Sequence, residues 1–467
     1  MAGGILVGVP ATIAGLQQQG LLERAFHDGL YPNLAFRAEA MPEEWPLQSG
    51  QQIFMTRPGL ITPQTTPLQP GSDPVGKTIP FEQWVATLAQ YADSVDIHMP
   101  TAVTTNADLF LRYVHQLGLQ AGQSINRIAR NALYQAYLSG QTVTTTAPLT
   151  GDTTLQVASI NGFTQVVIPA GNVAPQNVST AFPLPINIYT PSGTIVTANV
   201  VGFTANNTSD PNSPGTLQLS AVVGVSGLTT RTAVKSQYAP LVLRSSAGNS
   251  VDAIGAGDTL VLQQAINAVG FLRQANVQPH EDGFYHAHIA STANSQLFAD
   301  PVTQRLHQSL PNEKFYMEGY IGDIANVRFF MNSESPLTFN TGTQVATASS
   351  GIYGTEIGAE VVNGTGVAIG RTILTGRGAF YEKYLDESAF VTEAGTVGKI
   401  GEFDVVNNGI SILTERIRMI LRAPQDKLQQ VVTASWSITT SFPVPSDITA
   451  PSGPQLYKRC VVLEHAA

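Results

Sequence analysis

The sequence contains a single cysteine, Cys460, among 467 residues. One thiol cannot form a disulfide within the chain, and it cannot supply the thiolates of a structural zinc site. No apolar run reaches the roughly 18 residues of a membrane-spanning helix. No basic residue precedes the short apolar run that begins at Ile5, so we expect no secretory signal and a soluble product made in the cytoplasm.

Charge is also scarce. Charged residues make up 12% of the chain and hydrophobic residues 43%, whereas about a quarter charged is usual for soluble domains. The net charge is −9 and the pI is about 5.4, which argues against a broad basic surface that grips nucleic acid tightly. A chain this poor in charge must cover its surface with neutral side chains or with another subunit.

The first hundred residues are rich in proline. Residues 1–50 are interrupted by four prolines, which predicts an extended arm with short helices. Residues 51–100 are predicted to form a long exposed hairpin, with arms at 52–57 and 90–98. Prolines between these arms, among them Pro58, Pro63, Pro67, Pro70 and Pro74, exclude a regular helix or a central strand, and a loop of this length is usually functional or disordered.

Apolar residues recur at steps of three and four over 105–139, which predicts a long helix with Asn106 as its cap and Gly140 at its end. A second helix is predicted at 259–276, capped by Asp258. An α/β segment follows it, to about residue 335.

Two long strands are predicted near the end of the sequence, at about 410–422 and 430–442. Alternation along the first of these strands places Arg416, Arg418 and Arg422 on one face.

The segment 141–248 differs in composition from the rest. Between residues 141 and 243 the only charges are Asp152, Asp210, Arg231 and Lys235. Short runs of β-forming residues alternate there with turn sequences, which predicts a small sandwich or barrel. The change indicates a β domain inserted between two parts of another domain.

Residues Gly71–Thr78 match the phosphate-loop pattern G-x-x-x-x-G-K-[ST]. That chemistry needs a strand before the loop, a helix after it and backbone N–H groups aimed at phosphates. Here a proline-rich segment precedes the pattern, and Pro74 removes one N–H donor. Gly364–Gly370 resembles a loosened dinucleotide fingerprint but lacks the strand–helix–strand context. The sequence therefore favours an exposed loop tip for Gly71–Thr78 and turns in β structure for Gly364–Gly370.

Catalytic and metal-binding patterns are weak. His286 and His288 share a strand face near His280, but two histidines are too few for a closed metal site, so a polar face is favoured. No G-x-S-x-G or H-E-x-x-H sequence occurs. We expect no enzyme activity, no catalytic residues, no metal and no cofactor. Arg127 and Arg130 on the long helix fit either salt bridges or weak phosphate contacts inside a container.

The predicted order of elements, an arm, a long hairpin, a long helix, an α/β segment and late strands, resembles the Hong Kong 97-type fold of tailed-phage coat proteins. Residues 272–279 and 283–290 resemble the helix-to-strand passage of the N-four-type podophage coat family. Residues 318–329 and 370–380 also resemble that family.

The resemblance implies an α+β fold with an inserted all-β domain. The implied divisions are an N-terminal arm 1–50, an extended loop 51–104, a spine helix of the peripheral domain 105–140, the inserted domain 141–248, an axial domain 249–370, and peripheral-domain strands with the C-terminus 371–467. No long charged helix precedes residue 50, so we expect no fused scaffolding domain.

The function implied is that of a major capsid protein. Hexamers and pentamers would build the icosahedral shell of a virion around double-stranded DNA, in the host cytoplasm and without a membrane. A portal protein is an expected partner, and a separate scaffold or decoration protein stays open. An encapsulin-type nanocompartment shell is the alternative, and a phosphate-loop nucleotide hydrolase is a distant one.

The resemblance also assigns contacts to particular residues. Lys77, Arg57, Arg416, Arg418 and Arg422 would lie at intersubunit contacts, and Arg127 and Arg130 would face weakly and non-specifically bound DNA. Some coats of this fold join a loop lysine to a neighbour's asparagine covalently. Asn407 and Asn408 are the candidate acceptors, although a plain contact of Lys77 is favoured.

Overall fold

The chain is described from a computed structural model. The residues described are 21–30, 34–46, 49–58, 63–77, 81–98, 108–166, 175–190, 193–208, 213–224, 227–246, 248–309, 322–332, 364–385, 399–400, 403–406, 409–414, 416–422, 427–428, 430–445 and 459–467.

Five α-helices and twenty-four strands are found among these residues. The helices are α1 Leu21–Leu30, α2 Asp108–Tyr137, α3 Leu262–Gln274, α4 Ser291–Ala299 and α5 Pro301–Ser309. The strands are β1 Met41–Glu44, β2 Gln52–Pro58, β3 Phe81–Thr87, β4 Ala89–His98, β5 Gln141–Val143, β6 Thr154–Val157, β7 Gln165–Val166, β8 Gln176–Asn177, β9 Leu184–Tyr189, β10 Ile195–Ala205, β11 Gly215–Leu219, β12 Ala233–Ser236, β13 Val242–Arg244, β14 Tyr285–Ile289, β15 Asp323–Ile324, β16 Val327–Met331, β17 Ile369–Thr375, β18 Tyr381–Tyr384, β19 Lys399–Ile400, β20 Phe403–Val406, β21 Gly409–Thr414, β22 Ile417–Arg422, β23 Val431–Ser441 and β24 Cys460–Ala466.

The chain divides into two compact units, each assembled from segments distant in sequence. The first comprises Met1–Phe54, Val85–Arg130 and Phe380–Pro443. The second comprises Met55–Trp84, Asn131–Ala379 and Val444–Ala467.

The first unit is built around β23. The sheet order is β1-β18-β23-β22-β21-β20-β19, and β4 pairs with β23 as well. Antiparallel pairing between β4 and β23 runs from Ala89↔Thr440 to His98↔Val431. Inward-facing residues of β23, including Trp436, are buried. The Trp436 indole N–H donates to Gln120 Oε1 at 2.9 Å, which fixes helix α2 against this strand.

Two glycines allow the helices of the first unit to approach closely. A Cβ at Gly118 of α2 would lie 2.3 Å from the Phe26 carbonyl oxygen, and one at Gly29 of α1 would lie 2.3 Å from the His115 carbonyl oxygen. Any larger residue would push the two backbones apart. Gly118 is therefore a packing position.

The second unit contains a β-barrel. Its strand order is β5-β12-β9-β10-β11-β6. A bridge between Thr144 and Val157 joins the first strand to the last, and the Ala158 N–H donates to the Val143 carbonyl at 2.9 Å beside it. The sheet thus closes on itself. Its fully buried core includes Leu155, Ile186, Ile188, Val200 and Leu217.

A mixed sheet forms the other part of the second unit, in the order β13-β24-β17-β14-β16-β15. Strand β24 lies between β13, with which it is parallel, and β17, with which it is antiparallel. Helix α3 packs on this sheet through Leu262, Ala265, Val269 and Leu272.

Several predicted elements are confirmed with different bounds, and two were wrong. The hairpin partner of β2 is β3, at Phe81–Thr87, whereas 90–98 falls in β4 and pairs with β23. The predicted strand 410–422 is two antiparallel strands, β21 and β22. The chain reverses beside Arg416, whose φ of 65° places it in the left-handed region, and sequence periodicity does not register such a turn.

The helix cap and the domain boundaries also differ from those predicted. Asp258 accepts the Gly255 N–H in a preceding turn, and the first turn of α3 is capped at long range by Asp300, which accepts the Leu262 N–H at 2.9 Å. The predicted cap Asn106 lies outside the described residues. The barrel strands run from Gln141 to Ser236. Strand β17 contains residues 370 and 371 and shares a sheet with β24, so the observed grouping of strands differs from the expected division at 370/371.

We expect residues 141–248 to unfold cooperatively when expressed alone, because the barrel core comes from its own strands. Leu217→Ala should lower the free energy of unfolding by about 2–5 kcal/mol through the cavity it leaves. Thr197→Ala, at an exposed position of β10, should change it by less than about 0.5 kcal/mol. Urea denaturation followed by circular dichroism measures both. A gradual, non-cooperative loss of signal would refute an autonomous domain.

Candidate assembly interface

A long loop projects from the hairpin formed by β2 and β3. Its described part, residues 63–77, contains no helix or strand, and every residue in it is exposed. Leu68 and Val75 are exposed apolar residues there, and Val75 is 90% exposed. Exposed apolar side chains on a projecting segment are typical of a surface that a partner covers.

The base of this hairpin is packed. Arg57 is buried, and its guanidinium lies 5.8 Å from the ring centroid of Trp84. Gln83 donates from Nε2 to Thr56 Oγ1 at 3.3 Å. Arg57, predicted at an intersubunit contact, therefore packs within its own chain, since a cation over an indole face is favourable when desolvated.

The phosphate-loop pattern lies in the exposed loop. Residues 63–70 form no strand before it, and residues 72–77 begin no helix. The described residues therefore lack the strand and the helical turn that would aim N–H groups at a phosphate. Lys77 is exposed. Its predicted acceptors Asn407 and Asn408 lie outside the described residues.

A buried ion cluster joins three segments of the first unit. Glu382 in β18 is 2% exposed. Its Oε1 accepts from Arg37, at 2.8 Å from Nε and 2.7 Å from Nη2, and its Oε2 accepts from Arg416 Nη1 at 2.9 Å. One carboxylate thus binds the segment before β1 and the turn between β21 and β22 to the same strand.

The three late arginines do not share one role. Arg416 lies in the turn, with its guanidinium 4.5 Å from the Tyr384 ring centroid, so placing it on a strand face with Arg418 was wrong. Arg418 is half-buried on β22. Arg422 ends that strand, and its side chain lies outside the described residues. Intersubunit contact by Arg418 and Arg422 stays a prediction.

Of the two arginines on α2, Arg130 is 2% exposed and Arg127 is half-buried. A guanidinium buried inside its own chain is poorly placed to meet DNA, and contact of Arg130 with DNA stays a prediction. Arg130 is among the largest fully buried side chains of the molecule. For Arg127 the prediction is untested.

The histidines near β14 lie in a polar and aromatic cluster. The rings of His280 and His286 stack with centroids 4.0 Å apart, and His286 Nε2 lies 2.9 Å from Asp282 Oδ2. Burial acts to raise the pKa of Asp282, but its hydrogen bonds with His286 and the Phe284 N–H, together with the charge of Arg328, outweigh it and the net shift is downward. His288 is buried and stacks on Phe330.

Sequence reasoning missed the acids that hold buried arginines. Glu464 lies within a strand whose residues are all buried, whereas Glu382 stands beside Lys383 in the short strand β18, whose two tyrosines are half-buried. Arg371 likewise interrupts the apolar run of β17. A lone charge inside an apolar strand is the sequence feature that points to such a pair, because a buried charge needs a partner.

No family model matches the sequence, and no curated protein does. Among solved structures the chain is similar to the capsid of cyanophage P-SCSP1u, at 12% identity and a TM-score of 0.46, over 91% of this chain and 86% of that one. It is also similar to the capsid of Ralstonia phage GP4, at 12% identity and a TM-score of 0.42, over 92% and 90%. For the capsid of cyanophage Pam1 the values are 11% and 0.43, over 90% and 86%.

Within the described part of the chain, no helix combines the length and apolarity needed to cross a membrane.

We expect Glu382→Gln to destabilise the first unit by about 3–5 kcal/mol, because it leaves Arg37 buried without its counter-charge. Glu281→Gln makes the same chemical change at an 83% exposed partner of Arg377 and should cost at most about 1 kcal/mol. Chemical denaturation of the unassembled protein measures both. Equal effects of the two variants would show that Glu382 does not hold the cluster.

We expect Lys77 to contact a neighbouring copy in assembled particles. Its labelling by an amine-reactive reagent should fall on assembly, whereas the exposed Lys427 provides a lysine outside the loop for comparison. Mass spectrometry of labelled peptides measures this. Unchanged labelling of Lys77 would contradict the contact. A denaturing-gel ladder that Lys77→Ala abolishes would indicate a covalent bond.

Proposed function

We propose that this chain is the major coat protein of a tailed phage, and that it assembles through hexamers and pentamers into an icosahedral shell around double-stranded DNA. The observation that carries the proposal is the exposed loop 63–77 at the end of the β2–β3 hairpin. The described residues of this loop are all exposed, and an irregular loop cannot bury its own apolar side chains, so a neighbouring copy is the natural cover.

The apolar residues of the loop support this role. Leu68 and Val75 are exposed in the isolated chain, and burying a side chain of this size contributes about 1.5–3 kcal/mol. Five prolines between Pro58 and Pro74 restrict the loop before it docks. Less conformational entropy is then lost on contact than with a freely flexible loop.

The arrangement of elements agrees with the Hong Kong 97-type layout that the sequence resembles. The loop hairpin precedes the long helix α2, and the late strands β22 and β23 belong to the unit that contains the first part of α2. In that layout the first unit corresponds to the peripheral domain and the mixed sheet to the axial domain. The barrel would be the inserted domain. Assignment to the N-four-type family is part of the proposal.

Charge supports a container for nucleic acid. A net charge of −9 limits tight adhesion of packaged DNA, because association with phosphates grows with the number of neutralising cations. We propose only weak, non-specific contact with DNA, for which Arg127 is a candidate. The shell would carry a portal protein, with a separate scaffold or decoration protein as a further partner, and would be built in the host cytoplasm. The role is structural, with no enzyme activity.

We expect the purified chain to form closed shells visible in electron micrographs. Leu68→Asp combined with Val75→Asp should reduce the assembled fraction at least about tenfold, because each aspartate would have to be desolvated at the contact, while the melting temperature of the unassembled chain stays unchanged. Leu149→Asp changes an equally exposed residue of the barrel segment and should leave assembly intact.

A wild-type chain that remains a monomer under all assembly conditions, or a double variant that assembles normally, would contradict the proposal. The contents of particles from the natural source separate the two kinds of shell. DNA indicates a capsid, and an enclosed enzyme indicates the encapsulin-type alternative.

A further inference from the structure

A pocket of about 70 Å³ lies in the second unit, between the ends of barrel strands and the mixed sheet. Its lining includes apolar residues and six uncharged polar ones, Gln141, Thr142, Ser159, Asn161, Asn249 and Ser250. Asn249 is exposed, so the pocket is open to solvent. Because roughly 10–15 Å³ of such volume holds one water molecule, there is space for several waters or one small ion.

Two arginines and one glutamate line the deeper side of this pocket. Arg244 Nε lies 2.9 Å from Glu464 Oε2, and Arg371 Nε lies 3.3 Å from Glu464 Oε1. Their side chains are 8%, 1% and 3% exposed, in the order Arg244, Arg371, Glu464. Among the described residues that line the pocket Glu464 is the single acid. The lining therefore carries one more positive charge than negative.

Among the described residues, the titratable groups next to this lining are cationic, neutral or already paired. Burial and, as a smaller effect, the positive charge of Arg244 lower the pKa of Lys235. Lys235 is therefore a further cationic group close to Arg244. Burial lowers the pKa of His465 to about 4. The hydrogen bond of His465 with the Ala466 backbone opposes this shift, and the positive charge of Arg371 adds to it. Asp252 is held by Arg231, with contacts of 2.6 and 2.8 Å.

The donors around the pocket suit an anion. Arg244 Nη2 donates to Gln141 Oε1 at 2.8 Å, which holds the guanidinium at the wall. Thr142 Oγ1 accepts the Ser159 N–H, and Ser159 Oγ accepts the Asn161 N–H. In the bonds of Thr142 and Ser159 the hydroxyl oxygen is the acceptor, so each O–H is left to donate. Guanidinium groups with hydroxyl donors form the usual setting for carboxylate and phosphate recognition.

We propose that this pocket binds one small oxyanion, of the size of inorganic phosphate, between Arg244, Arg371 and the hydroxyl groups of Thr142 and Ser159. The bound anion accepts charge-assisted hydrogen bonds from the guanidinium groups and adds a negative charge beside the two lining arginines. Because its contacts come from β5 and the loop after β6 as well as from β13 and β17, it stabilises the barrel against the mixed sheet.

The test is isothermal titration calorimetry of the unassembled full-length chain with inorganic phosphate, in a zwitterionic buffer at fixed ionic strength. We expect saturable binding of one phosphate per chain. Arg244→Gln should weaken it by about tenfold or more, as for the loss of one charge-assisted hydrogen bond. Arg377→Gln removes an arginine of the same unit that pairs at the surface with Glu281, and should bind as the wild type does.

A second variant keeps the proposal testable if Arg244→Gln does not fold. Asn249→Glu places a carboxylate at the exposed mouth, where folding does not depend on the side chain, and should weaken phosphate binding to a similar extent by repulsion or by occupying the site. Absence of saturable binding to the wild-type chain would overturn the proposal. Wild-type affinity in Asn249→Glu, or in a folded Arg244→Gln, would overturn it equally.

Discussion

The pairing of β4 with β23 is the interaction on which the first unit depends. It joins segments 337 residues apart at the contact between Asp96 and Thr433, and it continues over ten residue pairs. Strand β23 also pairs with β22 and β18, and its Trp436 is bonded to α2. Strand β4, the first part of the long helix and the late strands of this unit are therefore held relative to one another by a single strand.

Scarcity of charge gives each buried ion cluster a specific role. Glu382 and Glu464 each face two arginines, and each cluster joins segments that no continuous strand connects. Buried pairs add little net stability compared with apolar packing, but a missing partner is costly, so they favour one arrangement over its competitors. Under the proposed function one conformation is repeated in many copies, and uniqueness of fold then matters more than a few kcal/mol of stability.

The sequence predicted the elements whose periodicity is long and regular. Helix α2 and the turn-rich β segment were found because many residues repeat the same spacing. The two strands β21 and β22 were merged into one, since a tight reversal at Arg416 leaves the apolar alternation almost unbroken. The pairing of β2 with β3 instead of β4 was also missed, because it depends on β23, which lies far along the chain.

The burial of individual arginines could be predicted less well than the elements. The loop around Lys77 could be found from its prolines, which act locally. The burial of Arg57 and Arg130 depends on neighbours such as Trp84 that are brought close only by the fold. Nothing in their local sequence separates an arginine that is packed inside from one that faces solvent, since the aliphatic part of the side chain suits both positions.

The position of β24 has a consequence for the order in which the chain folds during synthesis. Strands β13 and β17 do not pair with each other, and β24 separates them, although it is translated after both. The barrel has all of its strands once residue 236 has emerged, whereas the mixed sheet lacks an internal strand until residue 466 has been made. A nascent chain therefore carries a folded barrel and an open sheet edge on the ribosome. An open edge is a template for pairing with another chain, so β13 and β17 stay exposed to premature association until β24 has been translated.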